Sequence, residues 1–410
     1  MRRHWGLCLA KPKSSRWRVV SGGNDVLVLA TSQEVPAPIG DHCLIDAFRG
    51  CTTTYFKAHS LIPTCKLSCP KQQNKLTFRR DTAGLRASIA ATMPPPLIAL
   101  EEHFDSDIVA EKDALHQNMP KHLTDPLADI GDGRIKDMDA GEMRLQVVSH
   151  TGLNYSVSEC QQANDKLAAA CAANSKRLAG FAMLPMQDPH AAADELERTV
   201  KSFGFLGAMI NDHLADGTKY DDEKYWKVFE QSVELDVPIY LHPSYPGTDM
   251  EDHYKGSFSD ASAMMMSTAS WGWHSECGLH LLRLFAAGLF DRFPTLKVVL
   301  GHMGEVLPYM LPRIINTTRA WGTFKRDLRT VWKENIWVTT SGLFALPSLE
   351  LLLKTSPRDK VMFSVDYPFS STEMGLNFVR AIEASGVMDS EQLEAFCHGN
   401  AEKLLKISLD

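Results

Sequence analysis

The chain has 410 residues, of which 44% are hydrophobic and 23% charged, so it can bury a large core and is not a disordered protein as a whole. Residues 1–92 contain 14 basic and 5 acidic residues, whereas the remainder contains 29 basic and 45 acidic residues. The acidic main body argues against nucleic acid or an anionic membrane as a partner, and no apolar run reaches the ~18 residues of a membrane span.

Residues 1–92 differ in composition from the rest of the chain. They are rich in Ser, Thr, Lys and Arg and show no sustained period of 2 or 3.6. One interpretation is an irregular, disordered tail that the mature protein lacks, because Met93 and three following prolines look like a start of translation. The other is a mitochondrial targeting peptide, because residues 1–24 are basic and contain no acid. We favour the first and expect one domain over 93–410.

From Leu97 onward, short apolar runs alternate with helical patterns. Eight runs have the composition of strands buried on both faces: 97–101, 145–149, 180–184, 206–210, 237–241, 297–301, 335–340 and 360–365. Between or after them we predict helices over 159–177, 188–203, 222–235, 273–290, 347–355 and 390–406. This alternation predicts an α/β fold of the (β/α)₈ TIM-barrel type. An open doubly wound sheet is the alternative, but no GxGxxG or GxxxxGK[ST] loop follows any strand.

The carboxyl ends of the predicted strands are unusually polar. The first ends in Glu101 and His103, which alternation places on one side, the fifth in His242, and the eighth in Asp366. In a barrel these ends meet at one mouth, where active sites are built. Carboxylates and imidazoles together form a ligand set suited to Zn²⁺ or Mn²⁺. We therefore predict a metal site.

The four cysteines outside 1–92 lack zinc-site spacing, and the body is expected to be reduced and cytoplasmic.

Several longer stretches resemble a known family. They are LIALEEHF (97–104), GFLGAMIN (204–211), DVPIYLHP (236–243), GLFDRFPTLKVVLGHMGEVLPYMLPRI (288–314), IWVTTSG (336–342) and FSVDYPF (363–369). Residues 97–410 resemble the decarboxylase branch of the amidohydrolase superfamily. That branch includes the γ-resorcylate, 2,3-dihydroxybenzoate and 5-carboxyvanillate decarboxylases and, more distantly, aminocarboxymuconate-semialdehyde decarboxylase.

The resemblance implies one divalent metal ion and no organic cofactor. Zn²⁺ or Mn²⁺ is expected, with Mg²⁺ as a further option, held by Glu101, His242 and Asp366. His103 stands where γ-resorcylate decarboxylase has a ligand. Hydrolytic amidohydrolases usually open with His-x-His and many use a bridging Lys. This chain opens with Glu-x-His and has no obvious bridging Lys, which favours decarboxylation.

The implied reaction is the non-oxidative loss of CO₂ from an ortho-hydroxylated aromatic acid such as a dihydroxybenzoate. Protonating the ring carbon that bears the carboxylate avoids an aryl anion. The resemblance gives Asp366 as the proton donor and pairs His302 with Glu305, so that His302 can manage the phenol proton. It also gives Arg313 a contact with substrate, and a guanidinium there would clamp the carboxylate.

Other features of the pocket and assembly follow less directly. Phe104 follows the first ligands and is expected to line an aromatic site, and Asn211, at the end of the fourth strand, is expected to face the pocket. The family implies a homodimer or homotetramer acting on a small aromatic carboxylic acid. Two alternatives are a hydrolase of a lactone or cyclic amide and a catalytically silent binding protein. The polar strand ends argue against the silent protein.

Overall fold

The computed structural model of the chain describes residues 19–22, 25–28, 94–107, 119–150, 155–247 and 250–409. The chain divides into two units, Met1–Leu85 and Arg86–Asp410. In the first unit, strands β1 (Val19–Gly22) and β2 (Asp25–Val28) pair antiparallel. We did not predict this hairpin, although β-rich runs around a Gly-Asn dipeptide are a known hairpin signal. The rest of the predicted irregular segment lies outside the described residues, and the predicted boundary at residue 92 stays a prediction.

The second unit is a (β/α)₈ barrel, which confirms the predicted fold. Its strands are β3 (Leu97–Phe104), β4 (Met143–His150), β5 (Leu178–Gly180), β6 (Ala182–Met183), β7 (Ala208–Asn211), β8 (Ile239–His242), β9 (Val298–Leu300), β10 (Ile336–Thr339) and β11 (Val361–Met362). All pair in parallel, in the orders β3-β4-β5 and β6 through β11. Phe181 separates β5 from β6, and the two together correspond to the third predicted strand.

The barrel closes between its first and last strands. The amide of His103 donates to the carbonyl of Tyr367 at 2.7 Å, and the amide of Asp366 donates to the carbonyl of Glu101 at 2.9 Å. These bonds lie at the carboxyl ends of β3 and β11. Closure therefore brings the first and eighth polar strand ends into direct contact.

Helices cover the outside of the barrel. They are α1 (Lys121–Ala128), α2 (Asp132–Ala140), α3 (Val157–Ala173), α4 (Pro189–Phe203), α5 (Trp226–Leu235), α6 (Asp260–Ser267), α7 (Gly272–Ala286), α8 (Leu289–Arg292), α9 (Leu307–Thr317), α10 (Leu328–Asn335), α11 (Leu346–Thr355), α12 (Thr372–Ser385), α13 (Ser390–Glu394) and α14 (Asn400–Leu405). All six predicted helices are present. The predicted helix 273–290 is divided by Gly288 at φ 88°, and a π turn, Ala395–Gly399, interrupts the last one.

Local chemistry explains several helix starts. Ser156 caps α3 in a capping box, in which its hydroxyl accepts from the amide of Glu159 and the Glu159 carboxylate accepts from the amide of Ser156. Asp188 caps α4 and Pro189 occupies its first position. Six of the described helices were missed: α1, α2, α6, α9, α10 and α12. Two of them, α1 and α9, have an internal proline, Pro126 and Pro312, which usually marks a helix end.

The apolar core has two layers. One fills the barrel and takes residues from nearly every strand, including Ile98, Val147, Met209, Val299 and Met362. The other lies between the strands and the surrounding helices. The barrel interior is therefore apolar up to the carboxyl ends of the strands, where the polar side chains of the site begin. Within the part of the chain that is described, no helix is both long and apolar enough to cross a membrane.

Candidate active site

Glu101 and His103 face the barrel interior because β3 contains a bulge. Leu100 already belongs to the interior layer, so strict alternation would turn Glu101 toward the helices. A register shift occurs between residues 99 and 102, where the amides of Leu100 and Glu101 both donate to the Ser364 hydroxyl, at 3.0 and 2.8 Å. A bulge re-aims the side chains that follow it. Both members of Glu-x-His therefore point into the mouth.

Tyr240 supports Glu101 from within the barrel. Its buried hydroxyl donates to Glu101 Oε2 and contacts Thr339 Oγ1 at 2.6 Å and Ser341 Oγ at 3.1 Å. Burial raises the pKa of Tyr240 well above 10, so the hydroxyl keeps its proton and acts as a donor. Glu101 Oε2 is thereby held, and Oε1 is left facing His242.

A left-handed turn follows β9 and carries His302 and Glu305. The φ angles are 45° at His302, 57° at Met303, 89° at Gly304, 54° at Glu305 and 57° at Val306. Positive φ costs each non-glycine residue about 1–3 kcal/mol, and such strain clusters at functional sites. The turn brings His302 Nδ1 within 2.8 Å of Glu305 Oε1, and His302 donates this hydrogen bond. The left-handed turn therefore orients the imidazole of His302 through Glu305.

Asp366 follows β11 and is also held in the left-handed region, at φ 68°. The carboxylate of Glu102, on the opposite face of β3 from the site, accepts from the amides of Val365 at 2.9 Å and Tyr367 at 3.1 Å. These amides flank Asp366 on both sides. The backbone that presents Asp366 is therefore fixed by a buried carboxylate.

A buried arginine, Arg134, also links β3 to the segment that presents Asp366. Arg134, on α2, donates to the carbonyl of His103, to Gln146 Oε1 at 3.2 Å and to the carbonyl of Asp129 at 3.0 Å. Its guanidinium carbon lies 4.7 Å from the centre of the Tyr367 ring. One cation therefore contacts both the first strand and the segment that follows the last strand.

The four predicted ligands converge. Glu101 Oε1 lies 3.3 Å from His242 Nε2, and His103 Nε2 lies 3.2 Å from Asp366 Oδ1. Two atoms bound at about 2.1 Å to one ion lie roughly 3.0–3.4 Å apart, so both pairs have the separation of neighbouring ligands. Glu101 Oε1 is buried and has no hydrogen-bond partner among the described residues. A cation would satisfy this oxygen, and the donor set fits one divalent metal ion.

His302 approaches the same point. Its Nε2 lies 3.8 Å from Glu101 Oε1 and 3.6 Å from Asp366 Oδ2. Glu101, His302 and Asp366 could hold an ion as readily by spacing as Glu101, His103 and His242. Because His302 Nδ1 is bound to Glu305, its Nε2 is the nitrogen available to substrate.

Burial and neighbouring charge set the protonation of the ligands. Burial lowers the pKa of His242 to about 3, with His103 acting in the same direction, so His242 is neutral and has a free lone pair for a metal. Burial raises the pKa of Glu101 above its ordinary value. A buried carboxylate of this kind is stabilised by a nearby cation.

For Glu305 and Asp366, the effect of neighbouring groups outweighs that of burial, and the pKa is lowered. Burial would raise the pKa of Glu305, but the charge of His302 and hydrogen bonds from His274 and His302 lower it to about 2. Burial would also lower the pKa of His302, but the neighbouring carboxylates raise it well above 6.5. The imidazoles of His103 and His302, 3.2 and 3.6 Å from its oxygens, hold the pKa of Asp366 below its ordinary value despite burial.

The site opens into a cavity of ≈ 1230 Å³. His242, His302, Asp366 and the predicted Asn211 line it, together with an apolar wall that includes Trp271, Trp273, Met303, Met310, Leu343 and Phe369. A mostly apolar cavity with a few polar groups at one end is typical of sites for small organic molecules.

Two predicted substrate contacts are not found in this cavity. Phe104 is fully buried between strands and helices, where its ring lies 4.9 Å from that of His150. The bulge that turns Glu101 and His103 inward turns Phe104 outward, so the prediction that it lines the site is wrong. Arg313 is exposed on α9 and does not line the cavity of its own chain.

Sequence reasoning missed two residues of the site. Tyr240 lies two positions before His242 on β8, and period-2 alternation could have placed both in the interior. His274 lies in the first turn of α7, and nothing in its local sequence distinguishes it from a surface histidine. It lines the cavity, and its Nδ1 lies 2.7 Å from Glu305 Oε2.

Comparison with known proteins gives a consistent result. The amidohydrolase family pattern matches residues 103–407. The chain is 45% identical over 329 residues to "Decarboxylase orsB" of Emericella nidulans, covering 77% of this chain and 99% of the relative.

Two solved structures have the same fold. One is a dihydroxybenzoic acid decarboxylase from a Polaromonas species with manganese and the inhibitor 2-nitroresorcinol, 33% identical, with a TM-score of 0.68 over 76% of this chain and 97% of that one. The other is 5-carboxyvanillate decarboxylase from Novosphingobium aromaticivorans with manganese and a nitrobenzoic acid, 29% identical, with a TM-score of 0.69 over 76% and 96%.

Proposed function

The chain belongs to the amidohydrolase family, and from this premise we propose that it is a metal-dependent, non-oxidative decarboxylase of an ortho-hydroxylated aromatic acid. The observation that carries the proposal is the meeting of Glu101, His103, His242 and Asp366 at one end of an apolar cavity, beside the His302–Glu305 pair. A relative at 45% identity and a gamma-resorcylate decarboxylase at 35% identity are decarboxylases rather than hydrolases, which favours this function over hydrolysis of a lactone or cyclic amide.

We propose that Glu101, His103, His242 and Asp366 hold one divalent ion, with Mn²⁺ or Zn²⁺ suited to their oxygen and nitrogen donors. When bound, the ion orients the ortho oxygen and the carboxylate of the substrate and stabilises negative charge on that oxygen. The apolar wall of the cavity holds the ring and excludes water. No organic cofactor is needed, because the reaction has no redox step.

Asp366 and His302 divide the proton transfers. Because the pKa of Asp366 is depressed, its carboxylate is ionised before substrate binds, and the proton it delivers must come from the substrate phenol. Asp366 then protonates the ring carbon, the bond to the carboxylate breaks, and its electron pair restores the aromatic phenolate as CO₂ leaves. His302, held by Glu305 and with its pKa raised by the neighbouring carboxylates, gives its own proton to the phenolate oxygen and regains one from solvent, which is the proton that the overall reaction consumes.

A metal-removal experiment tests this function. Full-length protein treated with a chelator is expected to lose all decarboxylation and to regain it with Mn²⁺ or Zn²⁺, with Mg²⁺ as a third arm. The acids are salicylate, 2,3- and 2,6-dihydroxybenzoate, orsellinate and 5-carboxyvanillate, followed by loss of the acid and release of CO₂. If the folded, metal-loaded protein is silent on all of them, the proposal is wrong and lactones become the next substrates.

We propose further that the protein is a homodimer or homotetramer in which Arg313 reaches the cavity of a second copy. Tyr309 and Met310, on the same helix, line the cavity and yet are 77% and 41% exposed. A second copy packed on this face would cover apolar surface and the cavity rim together. Arg313 lies on the same helix and would be carried to the partner's substrate.

Mixing two inactive variants tests this arrangement. Arg313→Ala and Asp366→Asn chains, inactive alone, are expected to regain about a quarter of wild-type activity after subunit exchange, because half of the chains then lie in mixed dimers with one intact site each. Sedimentation of the same samples measures the oligomer. No recovery in a confirmed dimer would show that Arg313 does not act across the interface.

A further inference from the structure

His274 contacts both members of the His302–Glu305 pair. Its ring centre lies 4.7 Å from that of His302, and its Nδ1 lies 2.7 Å from Glu305 Oε2. Its Nε2 lies 3.0 Å from the carbonyl of Ala269. Both partners are acceptors, so each contact is a hydrogen bond only when the ring nitrogen carries a hydrogen. The contact with the Glu305 carboxylate is the shorter of the two, and there His274 Nδ1 is the donor.

The consequence is that one carboxylate holds two imidazoles. Glu305 is fully buried, with Oε1 bound to His302 at 2.8 Å and Oε2 bound to His274. A carboxylate fixed at both oxygens cannot rotate. If the second partner is removed, Oε2 becomes a buried acceptor without a donor, and the carboxylate is free to turn toward another one.

We propose that His274 is a positioning residue for the decarboxylation proposed above, on which this inference rests. By fixing Glu305, it keeps His302 Nε2 directed at Asp366 Oδ2, 3.6 Å away. Through Ala269 it also ties this pair to the cavity wall formed by residues 269–273. The ring of a substrate packed on that wall is thus placed in register with the proton-transfer groups.

A pair of substitutions separates the two contacts of His274. The amide nitrogen of Asn superposes on Nδ1 of His, and that of Gln superposes on Nε2. His274→Asn therefore keeps a donor for Glu305, and His274→Gln keeps only the donor for Ala269. Loss of an orienting hydrogen bond typically costs about 10–100-fold, so His274→Gln is expected to lower kcat by that factor with little change in KM. His274→Asn should restore most of this loss.

A second measurement does not depend on turnover. The proton on His302 Nδ1 gives an NMR resonance that can be assigned by its loss in His302→Gln. We expect this resonance to shift or broaden in His274→Gln and to be retained in His274→Asn. Equal kcat values or equal spectra for the two variants would overturn the positioning role. If the wild-type protein decarboxylates none of the acids, the proposed function fails, and the spectra still decide whether His274 fixes the pair.

Discussion

Asp366→Asn is expected to abolish decarboxylation and to leave the fold intact. The substitution removes the group that carries the proton to the ring carbon, and a general acid alone typically contributes about 10²–10⁴-fold. It also replaces an anionic oxygen that lies 3.2 Å from His103 Nε2, and so weakens the metal site. Asn tolerates the left-handed φ of 68° at this position, so the backbone should not move. Turnover at saturating acid and metal measures the effect.

Asp359→Asn is the matched control. Asp359 is exposed in the 3₁₀ turn that precedes β11, and so lies at the opposite end of that strand from the active site. Its replacement should leave turnover unchanged. Bound metal is measured in both variants, because a metal-free Asp366→Asn protein would report on the ligand role alone. Activity retained by metal-loaded Asp366→Asn would exclude Asp366 as the proton donor.

The strands and the mouth of the barrel could be predicted from sequence because each depends on a local pattern. A strand buried on both faces is a continuous apolar run, and a polar residue at its carboxyl end stands out against that run. Glu101, His242 and Asp366 were recognised in this way. Their meeting then followed from the fold, since parallel strands of a closed barrel end at one mouth.

The features that were missed depend on contacts between distant segments. The bulge in β3 is formed by the hydroxyl of Ser364, more than 260 residues away, and no pattern near Phe104 reveals that it turns outward. The left-handed turn at His302 places positive φ on residues that rarely adopt it, against their local preference. His274 gains its role only because α7 packs beside this turn.

The buried Arg134 network gives the largest expected effect on stability. Arg134→Met keeps most of the side-chain volume but removes the donors to His103, Asp129 and Gln146. Burial raises the pKa of Glu102 to about 8, and the charge of Arg134 opposes that shift, so the ionised carboxylate becomes costlier without it. Removing the guanidinium leaves these three acceptors without their donor, and an unsatisfied buried acceptor costs about 1–3 kcal/mol, so we expect the free energy of unfolding measured by denaturant titration to decrease by about 3–5 kcal/mol.

Arg380→Met is the control for loss of an arginine as such. Arg380 also forms an ion pair, with Glu142 at 3.1 Å, but the two side chains are 53% and 45% exposed. Solvent screens such a pair, and its loss should cost less than about 1 kcal/mol. If Arg134→Met lowers the free energy of unfolding by so little, the buried cation contributes no more to stability than an exposed one. The connection it makes between β3 and the segment that presents Asp366 would then have to be held by Glu102 and the backbone bonds alone.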